Sequence, residues 1–246
     1  GLKERETSLR ISNEKLAATN KSYIDLIGFV AHELKGILAS AVMNAYAVRD
    51  GYLGLVNFKQ RKALDSVTRN LDYLDATVKK FLSLGRVERG ELPVHKTSLN
   101  LKKDVFDTSI NSLLPMAVKK GLKIANEIGP EMVVHADADL MQIVANNLVS
   151  NAIKYSPDAG RIRVSAQQID GMIEVDVYND STPMSEEQRA KLFQKFSRLD
   201  NPETKKVKGT GLGLYITKQI IEKHGGTITV EPREHGNSFV FRIERN

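Results

Sequence analysis

The sequence predicts an α-helical hairpin that dimerises into a four-helix bundle, followed by an α+β two-layer sandwich. Three observations carry this. From Leu2 to about Leu84 apolar residues recur at three-and-four spacing, beyond Pro93 several segments alternate polar and apolar residues, and the character breaks between them at Arg86-Val-Glu-Arg-Gly90. At 246 residues the chain is long enough for both parts. With 41% hydrophobic and 27% charged residues it has the composition of a soluble globular protein, not of a disordered tail, a fibre or a channel. The absence of cysteine excludes a disulfide scaffold, a thiolate zinc site, an iron–sulfur cluster and a cysteine nucleophile. A net charge of +6, from 36 basic and 30 acidic residues, admits a polyanionic ligand but is too even for a dedicated nucleic-acid binder. No apolar run reads as approaching the roughly 20 residues of a bilayer crossing, and no signal segment opens the chain, so no membrane contact is expected of it. Position 1 falls inside a helical pattern, so the chain is expected to be a cytoplasmic piece of a longer protein.

Residues 1–21, with Leu2, Leu9 and Leu16 at heptad spacing, read as a coiled coil feeding the first hairpin helix. Residues 22–90 read as the hairpin. Its first helix, Ser22 to Asp50, is on the order of 40 Å long. It carries Ile27, Val30, Leu34, Ile37/Leu38, Ala41, Ala45 and Val48, and Gly51 and Gly54 then turn the chain. The second helix repeats at Leu64, Val67, Leu71, Leu74, Val78 and Phe81. Two such helices share only a narrow apolar seam, so a homodimer is expected; packing on the rest of the chain is the alternative.

Residues 91–246 read as one α+β domain with helices on one face of a mixed sheet, entered through an extended linker at Pro93. Leu101 to Lys120 reads as a helix that Pro115 breaks or kinks. Arg161–Ala166, Met172–Tyr178, Thr227–Glu231 and Ser238–Glu244 alternate as half-buried strands do, and helices fit Asp139–Tyr155 and Leu214–His224.

The chemistry gathers in three places. His32 lies two positions after Val30, about 200° around a helix, so it is expected to face solvent with Glu33 beside it. An exposed imidazole can attack phosphorus while a carboxylate orients its other nitrogen, although a surface His-Glu pair is by itself ordinary. Asn147, Asn151 and Lys154 share one helix face with Tyr155 at its edge. Amide oxygens suit Mg²⁺ and an ammonium suits phosphates; a solvated amide-rich face is the plain alternative. Gly209-Thr210-Gly211-Leu212-Gly213 leads into a helix, where backbone N–H groups can approach phosphates. A dinucleotide site with Glu231 on the ribose is the rival, but the spacing is wrong, and the basic segment Asn201–Lys208 stands where a strand should. That segment reads as a lid over a triphosphate. His95, His135, His224 and His235 lack metal-ligand spacing and read as structural or surface residues.

Assembled, these residues resemble the kinase core of a two-component sensor histidine kinase over nearly the whole chain. Phe29-Val-Ala-His-Glu-Leu-Lys resembles the H-box, Asn147-Leu-Val-Ser-Asn-Ala-Ile-Lys-Tyr the N-box, Phe193-Gln-Lys-Phe the F-box, and Gly209-Thr-Gly-Leu-Gly-Leu the G2 box. The resemblance implies a dimerisation and phosphotransfer hairpin followed by an ATP-binding domain of the gyrase, chaperone and MutL type. It implies His32 as phosphoacceptor, Glu33 as its general base, Asn151 as Mg²⁺ ligand, Asn147 and Lys154 near the phosphates, and Tyr155 against the nucleotide. It further implies that ATP phosphorylates the histidine, which passes the phosphoryl group to an aspartate of a response regulator.

Two departures stand out. Where the family usually has Asp-x-Gly-x-Gly, this chain has Asn179-Asp-Ser-Thr-Pro-Met, so Asn179 takes the place of the adenine-contacting Asp while Ser181 and Pro183 replace the glycines. An amide still accepts from the adenine amine, without charge assistance. In the H-box Gly36 stands where a Thr or Asn is implied to position water for dephosphorylating the partner, and Ile37 replaces the usual proline. A helix bend at Gly36 is expected. These departures motivate an alternative: a degenerate kinase that serves as a dimeric regulatory scaffold.

Overall fold

In the computed structural model, which describes residues 2–198 and 209–245, helix α1 runs unbroken from Leu2 to Arg49. The upstream coil and the first hairpin helix are therefore one element. The helical hydrogen bonding continues through Gly36: a glycine costs a helix about 1 kcal/mol, and the good helix formers around it absorb that cost. The helix ends in a Schellman turn, with Tyr52 N–H donating to Ala47 O (3.0 Å), Gly51 N–H donating to Val48 O (3.2 Å), and Gly51 at φ +85°. Helix α2, Phe58–Glu88, starts on a capping box that sequence reading missed: Asn57 Oδ1 accepts from Gln60 N–H (2.9 Å), and Gln60 Oε1 accepts from Asn57 N–H (2.8 Å).

Within one hairpin the seam is narrower than the pattern implied. Ala31, Leu38 and Val78 are buried and Leu71, Phe81 and Leu82 pack around them, while Val30 and Leu34, expected in the seam, are 44% and 38% exposed. Leu26, Phe29, Ile37 and Met43 are exposed as well. The apolar residues of α1 thus form two stripes, one on α2 and one uncovered. This doubling also corrects the membrane expectation, because the 25-residue segment Asp25–Arg49 holds an 18-residue stretch of mean hydropathy 1.5, long and apolar enough by composition to cross a bilayer. A crossing would place His32, Glu33 and Lys35 at mid-helix in hydrocarbon; here α1 packs on α2 instead.

The chain divides into two units, Gly1–Leu92 and Pro93–Asn246. In the second, β1 (Thr97–Asn100) pairs antiparallel with β3 (Val133–Ala136). The helix expected from Leu101 begins instead as a π-helical turn, Leu101–Phe106, and becomes α3 over Asp107–Lys119, which carries Pro115 without ending there. Strands β2 (Lys123–Asn126), β4 (Arg161–Ile169), β5 (Met172–Asp180), β6 (Thr227–Arg233) and β7 (Gly236–Glu244) form a mixed sheet in the order β2-β4-β5-β7-β6, with β2 parallel to β4 and the other pairs antiparallel. Strands β1, β2 and β3, four residues each, were not anticipated, since so short a run shows no period.

Helices α4 (Ala138–Tyr155) and α6 (Gly213–Lys223) lie on this sheet. Leu148, Val149, Ile216, Ile220, Val175 and Phe241 are each 1% exposed or less and form the centre of the core. Polar groups fix the ends of α4. The Asp137 carboxylate caps its start by accepting from Leu140 N–H (3.0 Å) and also accepts from His95 N–H (2.8 Å). Asp137 N–H donates to His224 Nε2 (3.1 Å), while His224 Nδ1 donates to Ile220 O (2.8 Å), so the bonding pattern assigns this buried ring its Nδ1–H tautomer. At the other end the Lys120 ammonium donates to the carbonyls of Ile153 (3.0 Å), Lys154 (3.2 Å) and Ser156. A cation placed there satisfies the open carbonyls and complements the helix dipole.

Replacing Lys120 with Met keeps the stem but strips those carbonyls of their donor. Lys120→Met is expected to lower the stability of this domain by about 1–3 kcal/mol in urea unfolding.

Candidate functional site

On α1 the His32 side chain is 78% exposed and that of Glu33 62%, with Nδ1 and Oε1 3.6 Å apart. This is ion-pair range rather than a hydrogen bond, and a small ring rotation closes it. The imidazole faces out because its neighbour Ala31, not Val30, takes the inner position.

On α4 the buried stripe leaves Asn147, Asn151 and Lys154 together on the opposite, half-buried side, with Tyr155 at 37% exposure in the last turn. Burial pushes the Tyr155 phenol up, with Arg198 opposing, so the ring stays neutral at physiological pH. The two amides are used differently. Asn147 Nδ2 donates to Gly213 O (3.2 Å) and Thr217 Oγ1 (3.3 Å), binding the first turn of α6 to the middle of α4. Among the described residues the Asn151 amide makes no hydrogen bond, which leaves its oxygen available to a ligand.

The glycine segment is shaped by close contact. Gly211 sits at φ +71°, and a Cβ there would lie 2.6 Å from Phe196 C and 2.8 Å from Ser197 O. Gly213 lies under Asn147, its Cβ position 3.2 Å from Oδ1, whereas a Cβ at Gly209 meets nothing within 4 Å among the described residues. Thr210 Oγ1 accepts from Leu212 N–H (3.4 Å), Leu212 is fully buried, and among the described residues no side chain caps the first turn of α6. A helix start of this kind can receive an anion.

Phe193–Phe196 follows α5 (Glu186–Lys191), a short helix started by the Ser185–Gln188 capping box and not anticipated from the sequence. Phe196 takes φ +59°, uncommon for a bulky residue, and Lys195 Nζ lies 5.2 Å above the Tyr215 ring of α6. Asn179, 3% exposed, is the last buried residue of β5, its Nδ2 donating to Asp180 O (3.1 Å). It pairs across the sheet with Ile162 and Asn237. The basic lid segment Asn201–Lys208 lies outside the described residues.

Thus the structure joins Asn147 to Gly213 and the glycine turn to Phe196, while His32 and Glu33 stand on the other unit. Among the described residues no three His, Asp or Glu side chains gather as a metal site. An amide oxygen such as that of Asn151 is a donor of the kind that fits a hard cation arriving with oxygen ligands of its own, such as Mg²⁺. Sequence reading missed Thr217, whose hydroxyl is buried on α6, and Asn237 on β7; their partners are 70 and 55 residues away or thereabouts, and no local pattern marks them.

Residues 136–246 match the family of histidine kinase-, DNA gyrase B- and HSP90-like ATPases. The chain is 29% identical over 215 residues to sensor histidine kinase CusS of Escherichia coli O157:H7, covering 86% of this chain and 43% of that protein, so it spans less than half the relative's length. The catalytic domain of histidine kinase ThkA superposes with a TM-score of 0.56 at 31% identity, over 61% of this chain and 96% of that one. Histidine kinase ThkA in complex with response regulator protein TrrA aligns over 87% of this chain and 61% of that one, with a TM-score of 0.59 at 24% identity.

The glycines should separate cleanly by stability. Gly211→Ala meets backbone and a positive φ and is expected to cost about 1–3 kcal/mol, whereas Gly209→Ala is expected to be near neutral; urea unfolding of the two variants checks the order.

Proposed function

Since this chain belongs to the sensor histidine kinases and is the core of one, we propose that it is an active autokinase, which transfers the γ-phosphoryl group of ATP to His32 and from there to an aspartate of a response regulator. The observation that carries this reading is His32, an imidazole 78% exposed beside Glu33, in a chain whose other unit is an ATPase-family domain. With Glu33 on the Nδ1 side, Nε2 is the nucleophile. Its lone pair forms the N–P bond as the bond from γ-phosphorus to the bridging oxygen breaks and ADP leaves, and the Nδ1 proton passes to Glu33.

In this reading Asn151 would hold Mg²⁺, which would neutralise phosphate charge; Lys154 and the start of α6 face the phosphates, and Tyr155 and Asn179 face the nucleoside. Asn147 acts through Gly213 and Thr217, keeping that helix start in place. The response regulator is supported by the relative solved with one. The homodimer is supported by the uncovered stripe of α1 and by Val67 and Leu74, exposed on α2, which a second hairpin would cover. The kinase core is read as cytoplasmic.

Incubation with Mg-ATP followed by intact-mass measurement tests the reading. One added phosphoryl group, lost in acid and absent from His32→Ala, is expected; no added mass in a folded dimer would instead favour the scaffold. Two substitutions follow from the departures. A Cβ at Gly36 meets nothing within 4 Å, so Gly36→Thr fits the exposed helix face. The chain as it stands is expected to leave a phosphorylated regulator intact, with Gly36→Thr gaining clearance, read by following the aspartyl phosphate. Asn179→Asp is expected to tighten ATP binding by up to about tenfold, the difference between a charge-assisted and a neutral bond, measured by titration calorimetry.

A further inference from the structure

We propose that Asn237 is a positioning residue of the nucleotide site, holding in shape the loop that leaves Asn179 and that lacks its family's glycines. The proposal rests on the reading above that Asn179 faces the nucleoside. Asn237 is 1% exposed and opens β7 opposite Asn179. Its Nδ2 donates to Ser181 Oγ (2.8 Å) and to Thr182 O (2.9 Å), and its Oδ1 accepts from Met184 N–H (2.9 Å). Ser181 N–H donates to His235 O (3.2 Å). Between the end of β5 at Asp180 and the α5 cap at Ser185 the chain has no regular structure. The Asn237 side chain therefore supplies partners that a helix or strand would otherwise provide.

Only an amide can fill this position. It donates twice and accepts once in one plane; a carboxylate would meet Met184 N–H but face the Thr182 carbonyl, and a hydroxyl is too short to bridge three residues. Ser181, read from the sequence as a stiffening replacement for glycine, becomes one of the bonded partners. The loop it stabilises runs from Asn179 into α5 and on to Phe196, whose backbone packs on Gly211. Asn237 pairs with Asn179 across the sheet, and its side chain fixes the segment joining the base side of the site to the glycine side.

The test is calorimetric titration of the whole chain with a non-hydrolysable ATP analogue, together with KM for ATP and kcat of His32 phosphorylation and urea unfolding, for Asn237→Ala, Asn237→Asp, Ser181→Ala and the Asn237→Ala/Ser181→Ala pair. Asn237→Ala is expected to raise Kd and KM about tenfold with kcat nearly unchanged. Asn237→Asp should be comparably impaired despite its matching size. Ser181→Ala should show a smaller effect that disappears in the Asn237→Ala background, because both remove one shared bond. A folded Asn237→Ala chain with wild-type Kd and KM overturns the proposal alone. If Asn237→Ala does not fold, Ser181→Ala decides: wild-type affinity overturns the proposal and weakened affinity supports it. A wild-type chain that binds no nucleotide overturns the functional reading and this proposal with it.

Discussion

The second domain depends on the immobility of helix α4. One of its faces is sealed into the core through Leu148 and Val149, and a close-packed interior allows no rotation of such a helix without opening cavities. The opposite face is therefore aimed as firmly as the core is packed, and that face carries Asn147, Asn151 and Lys154. Its ends are held by polar groups in place of apolar ones: Asp137 and His224 at the start, Lys120 at the finish. An unpaired buried polar group costs about 1–3 kcal/mol, so both ends resist fraying, and Lys154 and Tyr155, in the last turn, share that order.

From this fixed helix the site is extended by contacts that tolerate little change. Asn147 and Asn151 are the same residue one turn apart, yet one is committed to the backbone and hydroxyl of α6 while the other keeps its amide open. The same helix thus carries both a brace and the candidate ligand of the proposed site. The glycine turn is held from its other side by the backbone of Phe196 and Ser197, where only a residue without a Cβ fits. In the proposed role of this turn such rigidity is an advantage, since N–H groups aimed in advance lose little freedom when an anion arrives.

The hairpin works by the opposite rule. Its candidate acceptor, His32, is exposed, and its apolar surface exceeds what two helices cover. Ala31 and Leu38 join α1 to α2, while Phe29, Val30 and Ile37 near the histidine stay exposed.

By itself the sequence determined the order of the long helices and strands, and it marked His32, Glu33, Asn151 and the glycine turn as candidates for one chemistry. These are local signals: periods of 3.6 and 2, and motifs contained within a few residues. Strands β1, β2 and β3 escaped because four residues establish no period, and the start of α3 became a π-helical turn because the pattern of apolar residues does not record which carbonyl each N–H selects. Tertiary structure alone decided that α1 bears two stripes instead of one, since periodicity shows which residues are apolar but not how many neighbours are present to cover them. It alone decided the roles of Asn147, Lys120, Thr217 and Asn237. Each acts through hydrogen bonds to residues distant in the chain, and such bonds exist only once apolar packing has brought α4, α6 and the sheet together.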